Sequence, residues 1–299
     1  MQSLRDIRRR IKSISSTRQI ARAMEMVSAA RFRRAQERLL SARPYAEGLE
    51  AMVKRVCAKS ADATHPLLVR RDKKSVGICV VASDRGLCGA FNVNVIREAE
   101  RLARQIVRDA VREGTNAGDK QPTQVRFLPV GRKALLHFRR KEARLLHSVP
   151  EIGAFADGSL ATTFTSKLID FYVGGMLDEI WLVFTHFISS GSRQVITSRL
   201  LPLDLAGSET AGGGYEYIYE PDARMLLQAL LPKYVTTKVF TTFAESCASE
   251  HSARMVAMSF ATKNADDMVD TLTLLANRAR QSSITREIAD IVGGAELLR

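Results

Sequence analysis

Apolar residues recur at both ends of the chain in steps of three and four, while the middle carries short unbroken apolar runs. Near the N-terminus Leu4, Ile7, Ile11 and Ile14 follow one another at three, four and three residues, the seam of a heptad helix. Ile20, Met24 and Val27 predict a continuation on a shifted stripe, as after a stutter. Toward the C-terminus Ala265, Met268, Leu272, Leu275 and Ala279 predict one seam. Ile284, Ile288, Ile291, Ala295 and Leu298 predict a second, shifted one. Neither proline nor glycine occurs between Gln2 and Ala42 or between Lys233 and Val292. The second stretch, ~60 residues at about 1.5 Å each, would make a rod of roughly 90 Å. Average helices hold only about 11–12 residues. So long a helix calls for a partner helix, and the other end of the chain supplies one. The pattern also fits two separate helices of a bundle, but short bundle helices need loops that these stretches lack.

Between the arms the periodicity changes. Arg43-Pro44 predicts an interruption or kink of the first helix, which then resumes through Met52, Val53 and Val56 and stops before His65-Pro66. Val76 to Ala82 is a continuous, β-branched apolar run, the pattern of a strand buried on both faces. A helix over 94–112 follows, with Ile96, Ala99, Leu102, Ala103 and Ile106 on one face. A polar loop over 113–122 leads to a second strand over 125–130 and a short helix over 133–140. Ser159 to Tyr172 predicts another helix, with Ser159 as its cap. Strands over 179–184 and 194–201, joined by a turn at Gly191, predict an antiparallel edge hairpin. The alternation predicts an α/β domain with a mostly parallel, Rossmann-like sheet. The whole is therefore read as α/β plus a long antiparallel coiled coil. Its divisions are an N-terminal coiled-coil helix (1–60), a central α/β domain (61–214) and a foot turn with C-terminal helix (215–299). The Gly-rich stretch 206–214 reads as a flexible loop, and Pro232 predicts a kink at the base of the last helix.

Charge separates the two arms. Residues 1–38 carry eleven Arg or Lys against three acidic residues, and residues 263–299 carry five against six. The first arm thus holds most of the net charge of +13, a pattern that suits nucleic acid, an anionic surface, an acidic protein partner or simply a solvated helix face. The 299 residues allow two domains, and 45% hydrophobic residues are enough for a core. No apolar run reaches the ~20 residues of a membrane span. The N-terminal Met1-Gln-Ser-Leu-Arg-Asp has no apolar signal region. Cys57, Cys79, Cys88 and Cys247 have no metal or redox spacing and are read as reduced thiols; the five His form no ligand pattern with Cys or Asp.

The loop after the first strand is where an α/β sheet would hold a phosphate. Asp84-Arg-Gly86-Leu-Cys-Gly89 matches neither phosphate-binding glycine motif, and Asp84 would repel an anion. The glycines there suit a tight turn with a positive φ. No nucleophile–base set or carboxylate pair stands out. A nucleotide-dependent enzyme would need a phosphate loop that is absent here. A coiled-coil nucleic-acid binder would use the same Arg run, but the central domain adds no basic–aromatic surface.

Several segments together resemble the gamma subunit of the F-type rotary ATP synthase. They are Leu4-Arg-Asp-Ile-Arg-Arg-Arg-Ile11, Arg22 to Ala30, Ala42-Arg-Pro-Tyr45, Ser83 to Gly89, Tyr217-Ile-Tyr-Glu-Pro221, Ala248 to Met258, Ala261 to Ala265 and Asn277 to Ile288. The resemblance spans the chain in order. The departure is the loop 206–214, which lacks the paired cysteines of the redox-regulated chloroplast form. The resemblance implies a central-stalk rotor, an essential non-catalytic subunit without cofactor or metal. Its left-handed coiled coil would enter a ring of three alpha and three beta subunits and turn with the membrane c-ring beside the epsilon subunit. It implies no nucleic acid and no small-molecule substrate of its own. It implies a peripheral membrane protein on the cytoplasmic side of a bacterial inner membrane. It also implies that Met24, Arg280, Gln281 and Thr285 meet beta, and that Tyr217, Tyr219 and Glu220 seat the foot on the c-ring and epsilon.

Overall fold

A computed structural model describes residues 3–59, 65–112, 123–204 and 222–296. Its elements are α1 (Leu4–Lys59), a 3-10 turn (Pro66–Leu68), β1 (Ser75–Val81), α2 (Phe91–Arg112), β2 (Gln124–Val130), α3 (Arg132–Arg140), α4 (Gly158–Val173), β3 (Glu179–Phe187), β4 (Arg193–Leu201) and α5 (Ala223–Glu296). They fall into two compact units, one of residues 1–29 with 254–299, the other of residues 30–253.

The larger unit is built on a four-stranded sheet of order β2-β1-β3-β4. β1 pairs in parallel with β2 and β3, and β4 closes the edge antiparallel to β3. As the central parallel strand, β1 is covered on both faces, which is why its apolar run is unbroken. One face (Cys79, Val81, Leu128, Ile180, Leu182) packs on α4 and on the parts of α1 and α5 in this unit, through Phe32, Leu39, Phe164, Val239 and Phe243. The other face (Ile78, Val80, Val183) packs on α2 and α3 through Val95, Ala99, Leu102 and Phe138.

Two local expectations are corrected. Helix α1 runs through Pro44 and α5 through Pro232, so neither proline interrupts its helix, which corrects the expected interruption and leaves the expected kink untouched. A proline inside a helix costs ~3 kcal/mol. Burial on both sides of each proline offsets that cost: Leu39, Leu49 and Val53 flank Pro44, and Leu231 and Val235 flank Pro232. The cap of α4 is Asp157, whose carboxylate accepts from the Ser159 backbone N–H at 3.1 Å; Ser159 lies inside the helix. The expected loops 113–122 and 206–214 lie outside the described residues.

In the smaller unit the start of α1 and the end of α5 form an antiparallel pair. On α1 the buried or half-buried Leu4, Ile7, Ile11, Ile14, Arg18, Ala21, Glu25 and Ser28 alternate three and four without interruption, with Asp6, Ser15, Met24 and Ala29 half-buried beside them. On α5 Met258, Thr262, Ala265, Val269, Leu272, Ala276 and Ala279 follow the same spacing, with Ala261 and Asp266 half-buried beside them. A sustained seven-residue repeat on both helices is the pattern of a left-handed supercoil. The expected register shift is therefore absent. Ile20 and Val27 stand 62% and 53% exposed, while the small Ala21 and Ser28 take the seam. Met268 and Leu275 are likewise exposed, and Val269 and Ala276 replace them at the contact.

Candidate functional site

The helical pair is held in register by charge as well as by apolar contact. Arg18 occupies a seam position, and its Nη1 donates to Asp266 Oδ1 at 2.8 Å. Fourteen residues before Arg18 is Leu4, where α1 begins; fourteen after Asp266 is Arg280. Past Arg280, α5 therefore has no stretch of α1 beside it. Every described side chain from Gln281 to Ala289 is exposed, and so is Ile291. Ile284, Ile288 and Ile291, spaced four and three apart, form an apolar stripe on this single helix, with Ile291 71% exposed. Polar solvent is a poor neighbour for three adjacent isoleucines, and such a stripe marks an interaction face.

The four residues expected to meet beta are not at one level. Arg280 and Gln281 are exposed where the pairing ends, and Arg280 Nη2 donates to Asn277 Oδ1 at 3.3 Å. Thr285, one turn on, donates its hydroxyl to the Gln281 carbonyl at 2.9 Å. Met24 is half-buried and, by the same register, level with Phe260, twenty residues of α5 away from Arg280. At about 1.5 Å per residue that separation is ~30 Å. Arg5, Arg8, Arg10, Lys12 and Arg22 are exposed along α1, so the cationic character of this arm faces outward. Tyr217, Tyr219 and Glu220 lie outside the described residues.

The loop after β1 is tied down from within. Asp84 accepts hydrogen bonds from the backbone N–H groups of Arg132, Ile152 and Gly153, at 3.2, 3.1 and 3.0 Å. It thus fills the first N–H of α3 and two N–H groups of the 152–153 loop, which an anion would otherwise use. Asn92 Oδ1 accepts from the Ser83 backbone N–H at 2.9 Å. Gly89 has φ 58°, as the turn requires, and Leu87 shares that left-handed region at φ 63°. Gly131, at φ 94°, lies so close to Ala82 that a Cβ there would fall 2.2 Å from the Ala82 carbonyl oxygen. Cys79, Cys88 and Cys247 are buried, and burial pushes the thiols of Cys79 and Cys247 up in pKa. Among the described residues no group of three His, Cys, Asp or Glu could hold a metal ion, and no helix is long and apolar enough to cross a membrane.

The sequence pattern concealed two of these features. Arg18 interrupts the apolar seam, and only its spacing from Ile14 and Ala21 marks it as inward-facing. Asp84 was read as a repellent for phosphate, whereas it serves as an acceptor for the protein's own backbone.

This combination of an antiparallel heptad pair with an α/β sheet unit defines a coiled-coil stalk protein with an α/β domain. The family model described as ATP synthase matches residues 3–298. The chain is 43% identical to the ATP synthase gamma chain of Pelotomaculum thermopropionicum and 42% identical to that of Desulforamulus reducens, each over 298 residues and the full length of both chains. Among solved structures it is similar to the central stalk/c-ring of the Tetrahymena thermophila mitochondrial ATP synthase. That match has a TM-score of 0.57 at 25% identity and covers 81% of this chain and 99% of that one. It also has the fold of a chain from the Euglena gracilis mitochondrial ATP synthase, with TM-score 0.62 at 15% identity, covering 99% of this chain and 94% of that one. The chain belongs to the ATP synthase gamma chain family, and its function is that of the central-stalk rotor.

Proposed function

We propose that this chain transmits torque between a membrane c-ring and three alpha and three beta subunits, with the epsilon subunit beside it, and carries out no bond chemistry itself. The observation that carries the reading is the helical pair. Its seam is a regular heptad, yet Ile20, Met26 and Val27 and the stripe Ile284, Ile288 and Ile291 remain exposed outside the seam. Apolar residues left outside a complete seam need a surrounding partner. A ring of alpha and beta subunits, with acidic loops of beta toward the cationic outer face of α1, supplies one.

In this reading Met24, Arg280, Gln281 and Thr285 touch beta at two levels, Met24 at one and the other three at the end of the pair. Tyr217, Tyr219 and Glu220 seat the foot on the c-ring and epsilon. Catalytic residues belong to beta, and nucleotide never needs to bind here, which agrees with Asp84, in the turn after β1, accepting from the protein's own N–H groups at Ile152 and Gly153. The divisions 1–60, 61–214 and 215–299 then correspond to shaft, body, and foot with returning shaft. The assembly sits as a peripheral complex on the cytoplasmic side of a bacterial inner membrane.

The test is reconstitution with the alpha and beta subunits, with a probe fixed to the α/β unit. ATP-driven, unidirectional rotation of the probe is expected. Hydrolysis that proceeds equally well without this chain, or without rotation of the probe, would overturn the proposal.

A further inference from the structure

Inside the larger unit a cavity of about 350 Å³ opens beyond the carboxyl ends of β1 and β3. Cys88, Phe91 and Asn94 line it from the start of α2, and Thr185, Ser192 and Arg193 line it from the β3–β4 hairpin. None of its lining residues is acidic. Its position follows from topology. The chain leaves β1 toward β2 on one side, and β3 lies on the other side of β1. In open α/β sheets the crevice at such a reversal, outside the carboxyl ends of the strands, is where ligands bind.

Thr185 gives an independent sign of an occupant. It is only 2% exposed, and its hydroxyl has no hydrogen-bond partner. Thr185 shares a face of β3 with Val183, which clusters with Val95 and Ile96 of α2, so its side chain is on the α2 side, where the cavity lies. Its cross-strand neighbour Val195 lines the same cavity. A buried hydroxyl left unpaired is costly, and folded proteins rarely leave one so.

The surrounding chemistry selects the ligand. Arg193 brings a guanidinium, of which Nη1 donates to Ser252 Oγ at 3.4 Å, leaving further donors of its planar fork for a ligand. The first turn of α2 brings the positive end of a 22-residue helix, though the N–H groups of Phe91 and Asn94 already donate to the carbonyls of Cys88 and Ala90. We propose that this cavity binds a small oxyanion, of the class of inorganic phosphate. Arg193 supplies the charge and Thr185 a hydroxyl donor, beside the positive end of α2. The site takes a free anion and not a nucleotide, because the turn beside it has no phosphate-loop lysine and Asp84 closes the neighbouring donors. It is independent of the rotor reading.

The experiment uses the full chain and inorganic phosphate, by calorimetry and thermal unfolding, against sodium chloride at matched ionic strength. Saturable, one-to-one binding and a phosphate-specific rise in Tm are expected. Arg193→Gln should weaken binding about tenfold, the loss of one charge-assisted contact, and Arg193→Lys should restore part of it. Thr185→Val, nearly the same shape, should raise Tm without phosphate and weaken phosphate binding. The proposal fails if phosphate acts no differently from chloride, if Arg193→Gln binds as the wild type does, or if Thr185→Val leaves binding unchanged.

Discussion

Arg18 and Asp266 are 248 residues apart in the chain and 2.8 Å apart in space, a cation in the seam of α1 meeting a carboxylate on α5. A charged residue at a seam position gives up apolar contact and fixes register in return. Both side chains are partly exposed, so the pair contributes little net energy, about 0.5 kcal/mol. A double-mutant cycle with Arg18→Ala and Asp266→Ala should find a coupling of that order, screened away in concentrated salt. The register is tested separately. Ile11→Cys with Leu272→Cys should form a disulfide within one chain, and intermolecular dimers alone would show the antiparallel pairing to be wrong.

Asp84 carries more energy because its partners are backbone groups in a packed turn. Asp84→Ala strands the N–H groups of Ile152 and Gly153, which no other described acceptor serves. Hydrogen bonds to a charged acceptor are worth ~1.5–3 kcal/mol, so the loss in urea unfolding should be about 2–4 kcal/mol. Asp84→Asn keeps one acceptor oxygen and should lose less. An Asp84→Ala protein as stable as the parent would remove the clamp from the account of this loop.

His147 gives the larger unit a sensitivity to mild acid. Its ring packs 6.1 Å from Phe164 and 6.3 Å from Phe171. Burial, then the charge of Lys167, lowers its pKa below the ordinary histidine value. A lowered folded-state pKa means that the neutral ring is the one the fold accepts. Its contribution is full above the unfolded value near ~6.5 and is lost as pH falls through the folded value. His147→Leu should flatten the fall in Tm between neutral pH and pH about 5. An unchanged pH profile would assign that fall to other groups.

The sheet was legible because β1 is central and parallel, so that Val76 to Val81 reads as an unbroken apolar run. The hairpin was legible from Gly191 between two β-branched stretches. The helices of the stalk were legible, and so was the seam at Leu4, Ile7, Ile11 and Ile14 and at Ala265, Leu272 and Ala279; the rest of it was not. Contact between two helices favours small residues where backbones approach, so Ala21 and Ser28 are buried and the more apolar Ile20 and Val27 are left outside. Hydrophobicity alone picks the wrong stripe when a second, outer partner also needs an apolar face. The prolines misled for a related reason: tertiary burial on either side of Pro44 outweighs the local preference to break. The cavity at Thr185 and Arg193 left no sequence signal, because its walls come from a helix start and a distant hairpin.

The contacts of the shaft with beta set the last prediction. About three protons falling through ~150 mV deliver roughly 10 kcal/mol, at about 2.3 kcal/mol per charge per 100 mV. An exposed ion pair supplies only ~0–1 kcal/mol, so no single contact of Arg280 can bear that load. Met24 is level with Phe260 and Arg280 with Leu4, so in the proposed reading the grip is spread over at least two heights. Arg280→Ala should slow turnover several-fold and leave rotation intact. Met24→Lys should do more harm, because it places a cation on a half-buried face beside the seam. Ile284→Lys with Ile288→Lys should weaken association with the alpha–beta ring without changing the unfolding of the isolated chain, since both side chains are already exposed. Single-molecule rotation, coupled ATP synthesis and pull-down of the alpha–beta ring read out the three. Rotation abolished by Arg280→Ala alone, or full coupling in Met24→Lys, would mean that the load passes through one point and not along the helix.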